Sequence, residues 1–197
     1  MRKIFVLVML VLCQTSLFAQ DIEQLKFDGI SFELADSIFI KELSKKHWKV
    51  KEKTDNGVIV IGSYLDIPCV GAIEFAPKSR VPVLMVITSV ARQNTFSEGL
   101  ALLNTAVSHL ERSYGEYKAY EDVPEYAQTE EQLTNALKNG QIKIVAAFFP
   151  KYKGFENIDA YAGMITAELT PSGFEIRIKD ALNSALRDSE VNALNDK

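Results

Sequence analysis

A thirteen-residue segment from Tyr114 to Tyr126 holds the densest group of side chains suited to recognition chemistry. It contains four tyrosines and four carboxylates, and tyrosine combines a large contact area with a polar tip, which enriches it at binding interfaces. One interpretation is a binding surface for a protein or a cell-envelope ligand, formed by Tyr117, Tyr120, Glu121, Asp122 and Tyr126. The other is a solvated linker whose tyrosines pack back on the fold.

Other reactive side chains do not form a recognisable catalytic set. Cys69 could act as a nucleophile with His47 or His109 as its base, but it lies in the apolar run 67–73, which predicts a buried strand. A buried thiol has a raised pKa and is inert. His47 is expected at a helix end, and His109 is expected half-buried beside a helical apolar stripe. The sequence has no G-x-S-x-G, H-E-x-x-H or C-x-x-C motif, so no catalytic residue is predicted.

Metal and cofactor sites are not predicted either. With only two histidines, at positions far apart in the chain, a histidine-rich metal site is not expected. The carboxylates of Glu121, Asp122 and Glu125 suit Ca²⁺, but their spacing does not match the EF-hand pattern. The sequence therefore indicates a protein that binds without a cofactor.

The first residues have the three parts of a secretory signal. Positive charges at Arg2 and Lys3 precede the nine-residue apolar run 4–12, and Ala19 offers a small-residue cleavage position. The run is too short to span a bilayer, which needs about 20 residues. We therefore predict a cleaved signal peptide over 1–19 and a periplasmic or secreted protein. Lipidation at Cys13 is the alternative, which Leu12 disfavours because the lipoprotein peptidase prefers a small residue there.

Composition narrows the class of partner. The chain is 47% hydrophobic and 24% charged with a net charge of −4, and loss of Arg2 and Lys3 with the signal makes it more acidic. It has no run of basic residues, which disfavours nucleic acid and anionic lipid as partners. Cleavage also removes Cys13 and leaves Cys69 alone, so no intrachain disulfide is expected.

The first half of the chain predicts one helix followed by about four strands. The alternating run 25–30 suits a short strand. Asp36 is a candidate cap for a helix from Ser37, with Ile38, Phe39 and Leu43 on its apolar face. Asn56 and Gly57 indicate a type I′ hairpin. The predicted strands centre on apolar residues 58–61, 69–75 and 81–90.

The second half predicts two helices, three strands and a tail. A helix from Ser97 or Thr95 is expected to end at Gly115, because apolar residues recur every three or four positions at Phe96, Leu100, Leu103, Val107, Leu110 and Tyr114. A polar loop over 116–128 follows. Thr129 and Gln132 match a capping box. The last elements are strands over 142–149, 161–169 and 174–178, and a weak helix or flexible tail over 181–197 through Leu182, Ala185 and Leu186.

This order of elements predicts the α+β class and a single domain over 20–180. Short turns favour antiparallel pairing, so we expect an antiparallel β-sheet meander with helices packed on one face. Each half places a helix before its strands, so the domain could consist of two similar helix-plus-strands halves. Two smaller sheets, each with its own helix, are the alternative.

Several stretches resemble small secreted proteins of unknown function from Bacteroidales bacteria. They are Leu25–Ile30, Phe39–Trp48, Leu110–Glu116, and Phe174–Ile178 with Asp180 and Asn183. The chain departs from that family at Leu34 and Ala35, where a Gly-Ser type turn is usual. The resemblance implies an envelope or secreted α+β domain, and it brings no known activity and no catalytic residues.

Two classes of function remain open from the sequence. The first is a non-catalytic binding module of unknown ligand, and the absence of a recognisable nucleophile–base pair favours it. The alternative is an envelope hydrolase-type enzyme whose site of carboxylates and tyrosines cannot be recognised in one sequence.

Overall fold

The computed structural model describes residues 25–151 and 161–195. The predicted signal peptide, Cys13 and the tail residues 196–197 lie outside these ranges. The described elements are β1 (Lys26–Phe27), β2 (Ile30–Ser31), α1 (Asp36–Lys45), β3 (Lys49–Thr54), β4 (Gly57–Tyr64), β5 (Ile67–Phe75), β6 (Pro82–Ser89), α2 (Phe96–Tyr114), β7 (Tyr117–Asp122), α3 (Glu130–Lys138), β8 (Lys143–Phe148), β9 (Gly163–Thr170), β10 (Gly173–Asp180) and α4 (Ala181–Asn195).

Eight strands form one antiparallel sheet in the order β3-β4-β5-β6-β10-β9-β8-β7, and β1 and β2 form a separate small hairpin. The predicted α+β class is therefore confirmed, and the alternative of two smaller sheets is wrong. At the centre of the sheet, β6 pairs with β10, with Val86 opposite Arg177.

The sheet consists of two four-strand meanders, each preceded by a helix. In each meander the first strand lies at an outer edge and the last lies at the centre, so antiparallel pairing of β6 with β10 relates the halves by an approximate two-fold rotation. Because such an axis is perpendicular to the sheet, each half presents the same face to its helix. The expected similarity of the two halves holds at the level of topology.

Strand β7 is the main correction to the sequence prediction. Residues 116–128 were expected to form a loop, but Tyr117–Asp122 is a strand that pairs with β8 along its whole length. All six residues are exposed, so β7 lacks the alternation of apolar and polar residues that reveals a half-buried strand. Hydrogen bonding to β8 organises this segment rather than burial of its side chains.

The core lies on the face of the sheet that α2 covers. Central strands bury alternate residues there, such as Ile176 and Ile178 of β10, and α2 buries Leu103 and Leu110 against them. The predicted apolar face of this helix is confirmed. On the opposite face, Ile61 is 41% exposed.

Both ends of α2 and the start of α3 form as expected. The Thr95 hydroxyl accepts the backbone N–H of Glu98, and Gly115 ends the helix with a φ of 82°. The capping box between Thr129 and Gln132 is present at the start of α3. Glu130 of α3 accepts the backbone N–H of Ser97 at 2.8 Å, which joins the two helices at their N-termini.

Helix α1 starts one residue earlier than predicted and ends in a Schellman motif. Ala35 is its N-cap without a side-chain cap, so Asp36 is the first helical residue, and Ile38 is 49% exposed rather than buried. His47 adopts a φ of 66° after the last turn. The N–H groups of His47 and Trp48 donate to the carbonyls of Ser44 and Leu43, and the buried Trp48 packs there.

Two hairpin turns differ from the sequence prediction. The run 25–30 is not one strand: Asp28 and Gly29, with φ values of 49° and 80°, form the turn between β1 and β2. Gly57 is the first residue of β4, and the two-residue loop before it is 55–56. Two consecutive positive φ values, as in a type I′ turn, do not occur there but at Asp28 and Gly29 and at Leu65 and Asp66.

Residues 181–195 form helix α4, but the predicted apolar contact face is wrong. Leu182 and Leu186 are 42% and 40% exposed, whereas Asn183 is 4% exposed. The Asn183 side chain donates to the carbonyls of Phe32 and Pro82 at 2.8 and 2.7 Å. Hydrogen bonding of a buried amide therefore attaches α4. Over the described ranges, no helix has the length and apolar character needed to cross a bilayer.

Candidate functional site

A cavity of about 480 Å³ opens between the β1–β2 hairpin, the second half of α2 and the core strand β10. We call it the Tyr64–His109 cavity. Leu25, Leu110, Ile176 and Ile178 supply an apolar wall. The polar side chains on its wall are Lys26, Asp28, Tyr64, His109, Ser113, Tyr114 and Lys151. An apolar wall with a few polar groups is typical of a small-molecule site.

Tyr64 and His109 line this cavity and contact each other. Their rings are perpendicular with centroids 5.6 Å apart. Tyr64 also stacks on Phe27 at 5.6 Å and lies 6.3 Å from Phe174. Its ring is thus fixed by three aromatic neighbours from the hairpin, α2 and β10, which leaves little rotational freedom.

The Tyr64 side chain offers a hydroxyl group at the cavity. The residue as a whole is 6% exposed, and among the described residues its hydroxyl has no hydrogen-bond partner, nor does the His109 ring; this hydroxyl is not one of the fully buried unpartnered side-chain atoms. Burial, with smaller contributions from Tyr114 and Asp28, raises the pKa of Tyr64 far above its usual range. The group therefore stays protonated at physiological pH and remains a hydrogen-bond donor.

Tyr114 holds the β1–β2 hairpin against α2. Its hydroxyl donates to the backbone carbonyl of Lys26, and burial raises the pKa of Tyr114 to about 12. This last residue of α2 lies directly before Gly115, so the helix end places the phenol. The contact positions the hairpin that forms one side of the cavity.

Charged side chains of both signs line the described part of the cavity wall. Asp28 is its one carboxylate, and Lys46 Nζ lies 3.4 Å from Asp28 Oδ2, which partly neutralises it. Lys26 and Lys151 also line the wall.

Sequence reasoning missed this site because its parts are distant in the chain. Tyr64 reads as the end of an apolar strand, and His109 was expected only to be half-buried, which the structure confirms. A local signal existed in the Asp28-Gly29 dipeptide, since Asp-Gly is a strong hairpin turn. That turn folds the 25–31 segment back toward α2.

The sequence-predicted binding residues are not brought together into one site. Successive residues of β7 point to opposite faces, so Tyr117 lies on the α2 side of the sheet and Tyr120 on the other. The Tyr117 ring packs on Phe148 at 5.3 Å, whereas Lys143 Nζ lies 5.7 Å from the centroid of the Tyr120 ring. Both tyrosines stay accessible, at 40% and 54% exposure.

The remaining predicted residues separate further. Glu121 is on the Tyr117 face and Asp122 on the Tyr120 face of the same strand. Tyr126 follows the strand, is 56% exposed, and donates its hydroxyl to Gln141 Oε1 at 2.7 Å. Among the described residues, no three His, Cys, Asp or Glu side chains lie close enough to hold a metal ion.

Cys69 and His47 have the structural roles that were expected of them. Cys69 is 2% exposed, its thiol donates to the Ile67 carbonyl at 3.2 Å, and burial raises its pKa to about 11. His47 occupies the left-handed position after α1. Neither residue lines the Tyr64–His109 cavity.

No protein-family model, curated protein or solved structure matches this chain. The resemblance to secreted Bacteroidales proteins therefore stays a prediction from the sequence.

Proposed function

We propose that the protein is a non-catalytic binding module that holds a small amphipathic carboxylate in the Tyr64–His109 cavity. The observation that carries the proposal is the placement of Tyr64 and His109 in contact on the wall of this cavity, beside apolar side chains of α2 and β10. The Tyr64 hydroxyl forms no hydrogen bond with the described residues, so it can donate one to a ligand oxygen.

The chemistry of the wall selects the head group. Because Tyr64 stays protonated, it offers a donor, and the complementary ligand atom is an acceptor. Tyr64 and the His109 ring can each donate a hydrogen bond on this wall, which suits a carboxylate because its oxygens only accept. The Asp28 carboxylate works against an anion, but its partner Lys46 reduces that effect.

The apolar part of the wall selects the remainder of the ligand. Leu110, Ile176 and Ile178 offer a hydrocarbon surface beside the polar groups. A volume of about 480 Å³ falls within the range of about 300–1,000 Å³ typical of small-molecule sites. The wall therefore fits a medium-length aliphatic or an aromatic acid.

The predicted signal over 1–19 supports a location in the periplasm or outside the cell. Those residues lie outside the described ranges, so the location rests on the charged, apolar and small-residue pattern alone. Intact-mass analysis of the protein from its native host tests it. A chain beginning near Gln20 supports export, and a chain that retains residues 1–19 or carries a lipid on Cys13 contradicts it.

Three probes with one hydrocarbon tail test the ligand class: octanoate, 1-octanol and octylamine, each titrated by calorimetry below its aggregation limit. The single tryptophan gives a second readout, since Trp48 lies 6.0 Å from Phe27 at the cavity wall. Octanoate is expected to bind at least about tenfold more tightly than octylamine. Preference for octylamine, or no binding of any probe, overturns the proposal.

The hydrolase-type alternative has a direct test with 4-nitrophenyl octanoate. Tyr64, His109 and Asp28 share one wall, and this set includes both a donor and a base for ester hydrolysis. The proposal expects release of nitrophenol at the rate of the buffer alone. Saturable turnover that His109→Gln abolishes would show that the protein is an enzyme and not a non-catalytic binding module.

A further inference from the structure

We propose that the exposed edge of β7 pairs with β7 of a second copy of this chain and extends the sheet across a two-fold axis. This proposal uses residues of β7, none of which lines the Tyr64–His109 cavity, and it does not depend on that cavity. It makes a second copy of the chain the partner of the tyrosine-rich segment from Tyr114 to Tyr126.

The two outer edges of the sheet differ in how well they resist pairing. Strand β3 carries Lys49, Lys51 and Lys53, and its register is interrupted between Val50 and Glu52. Lysines and bulges are the usual protection of an edge strand. Strand β7 pairs with β8 without any shift and contains one lysine and no proline, so its outer backbone groups form a regular template.

Symmetry restricts how two copies of β7 can pair. A two-fold axis perpendicular to the sheet makes the strands antiparallel and keeps both α2 helices on one side. Residues directly opposite each other must then point to the same face of the sheet. This requires that one residue of the strand lies opposite its own copy, with the axis midway between the two. The possible centres within the strand are therefore single residues.

Charge and strand length together select one centre. With the axis at Tyr120, Lys118 faces Asp122 of the second copy on each side of the axis, and the two Tyr120 rings meet. Centring on Lys118, Glu121 or Asp122 opposes identical charges, and centring on Ala119 opposes Glu116 and Asp122, and like charges destabilise cross-strand pairs. Centring on Tyr117 opposes most of the strand to Glu116, Gly115 and the end of α2 rather than to β7.

The neighbouring strand supports the same register. On the open face, Lys143 lies opposite Asp122 and Val145 lies opposite Tyr120. Across the dimer, Asp122 would thus lie between Lys143 and Lys118 of the second copy. Within the described residues, neither Lys118 nor Asp122 forms an ion pair, so this pairing does not break an existing one.

Pairing of five residues from each strand, 118–122, buries less surface than the roughly 1,000 Å² expected of a stable interface. The dimer is therefore expected to exchange with monomer, with a dissociation constant of about 10–100 μM. Sedimentation equilibrium over 5–500 μM measures it. A monomer at every concentration overturns the proposal.

Charge exchange tests the register. Lys118→Glu is expected to weaken the dimer about tenfold, because it opposes Glu to Asp122 on both sides of the axis. The double variant Lys118→Glu with Asp122→Lys restores the opposite charges and is expected to restore dimerisation. Both positions are exposed, and circular dichroism checks that each variant folds. If the double variant is as weak as the single one, this register is wrong.

A cysteine pair locates the axis. Opposite residues of an antiparallel pair have Cα atoms about 4.5–5.5 Å apart, which lies within the range of about 4.4–6.8 Å for disulfides. Tyr120→Cys is expected to form a cross-linked dimer under mild oxidation, while the matched Ala119→Cys and the unmodified chain do not. Equal or stronger cross-linking of Ala119→Cys contradicts an axis at Tyr120.

Discussion

The ring of Tyr64 lies edge-on to the imidazole of His109, with centroids 5.6 Å apart and planes at 90°. This contact joins β4 of the first half of the chain to α2 of the second. The cavity is consequently a property of the assembled domain, because each half contributes part of its wall. A site at such a junction positions its polar groups through the packing of both halves.

Truncation of Leu103 tests the packing of α2. Leu103 is 2% exposed in the core, and a buried Leu→Ala change costs about 2–5 kcal/mol. We expect Leu103→Ala to lower the free energy of unfolding in urea by that amount. The matched Leu102→Ala, at a half-buried position of the same helix, is expected to cost less. Equal losses would show that α2 does not pack through Leu103.

A methyl group on Gly62 tests the packing of Trp48. A Cβ there would lie 2.6 Å from Cδ2 of the indole, and the ring must shift to accept it. Gly62→Ala is expected to lower the free energy of unfolding by about 1–3 kcal/mol and to change Trp48 emission. Ser63→Ala, at the exposed position next to Gly62, serves as the control. An unchanged emission spectrum in Gly62→Ala contradicts this contact.

Asp180 is expected to make stability depend on pH. Burial raises the pKa of Asp180 above its ordinary value, and the Asn183 backbone N–H opposes this only in part. The folded state therefore binds more protons than the unfolded state between the two pKa values, and stability falls as pH rises through that window. Asp180→Asn keeps an acceptor for Asn183 without the charge.

Urea unfolding from pH 3.5 to 7 measures this effect. As pH rises, the free energy of unfolding of Asp180→Asn is expected to increase relative to that of the unmodified chain. The exposed Asp55→Asn is the control and should not show this gain. Parallel pH profiles for Asp180→Asn and the unmodified chain would mean that Asp180 carries no such penalty.

The elements that the sequence predicted well are those with a local physical signal. Helix α2 has an unbroken apolar period, and Thr129 with Gln132 forms the capping box of α3 within one turn. The sequence also indicated the helix-plus-strands plan of both halves. In these cases, residues within one element determine the structure.

The elements that the sequence did not predict depend on contacts between distant residues. Strand β7 is exposed on both faces and exists because β8 offers hydrogen bonds. Leu65 and Asp66 adopt positive φ without the usual Asn-Gly, since flanking strands β4 and β5 impose that turn. Helix α4 buries Asn183 instead of Leu182 because carbonyls of Phe32 and Pro82 are within reach.

The candidate site could be predicted only in fragments for the same reason. The tyrosine-rich segment was visible as composition, but β-strand geometry places Tyr117 and Tyr120 on opposite faces. Tyr64, His109 and Asp28 meet only once the sheet, α2 and the β1–β2 hairpin have assembled.

Removal of the Tyr64 hydroxyl tests the proposed ligand site most directly. Tyr64→Phe keeps the ring and its aromatic neighbours, and Tyr126→Phe is the matched control because its hydroxyl bonds Gln141 outside the cavity. Without ligand, Tyr64→Phe is expected to unfold at about the same temperature as the unmodified chain, since the hydroxyl forms no hydrogen bond with the described residues that the change would remove. Its affinity for octanoate is expected to fall about tenfold, while Tyr126→Phe binds as the unmodified chain does. Unchanged octanoate affinity in Tyr64→Phe would contradict the account.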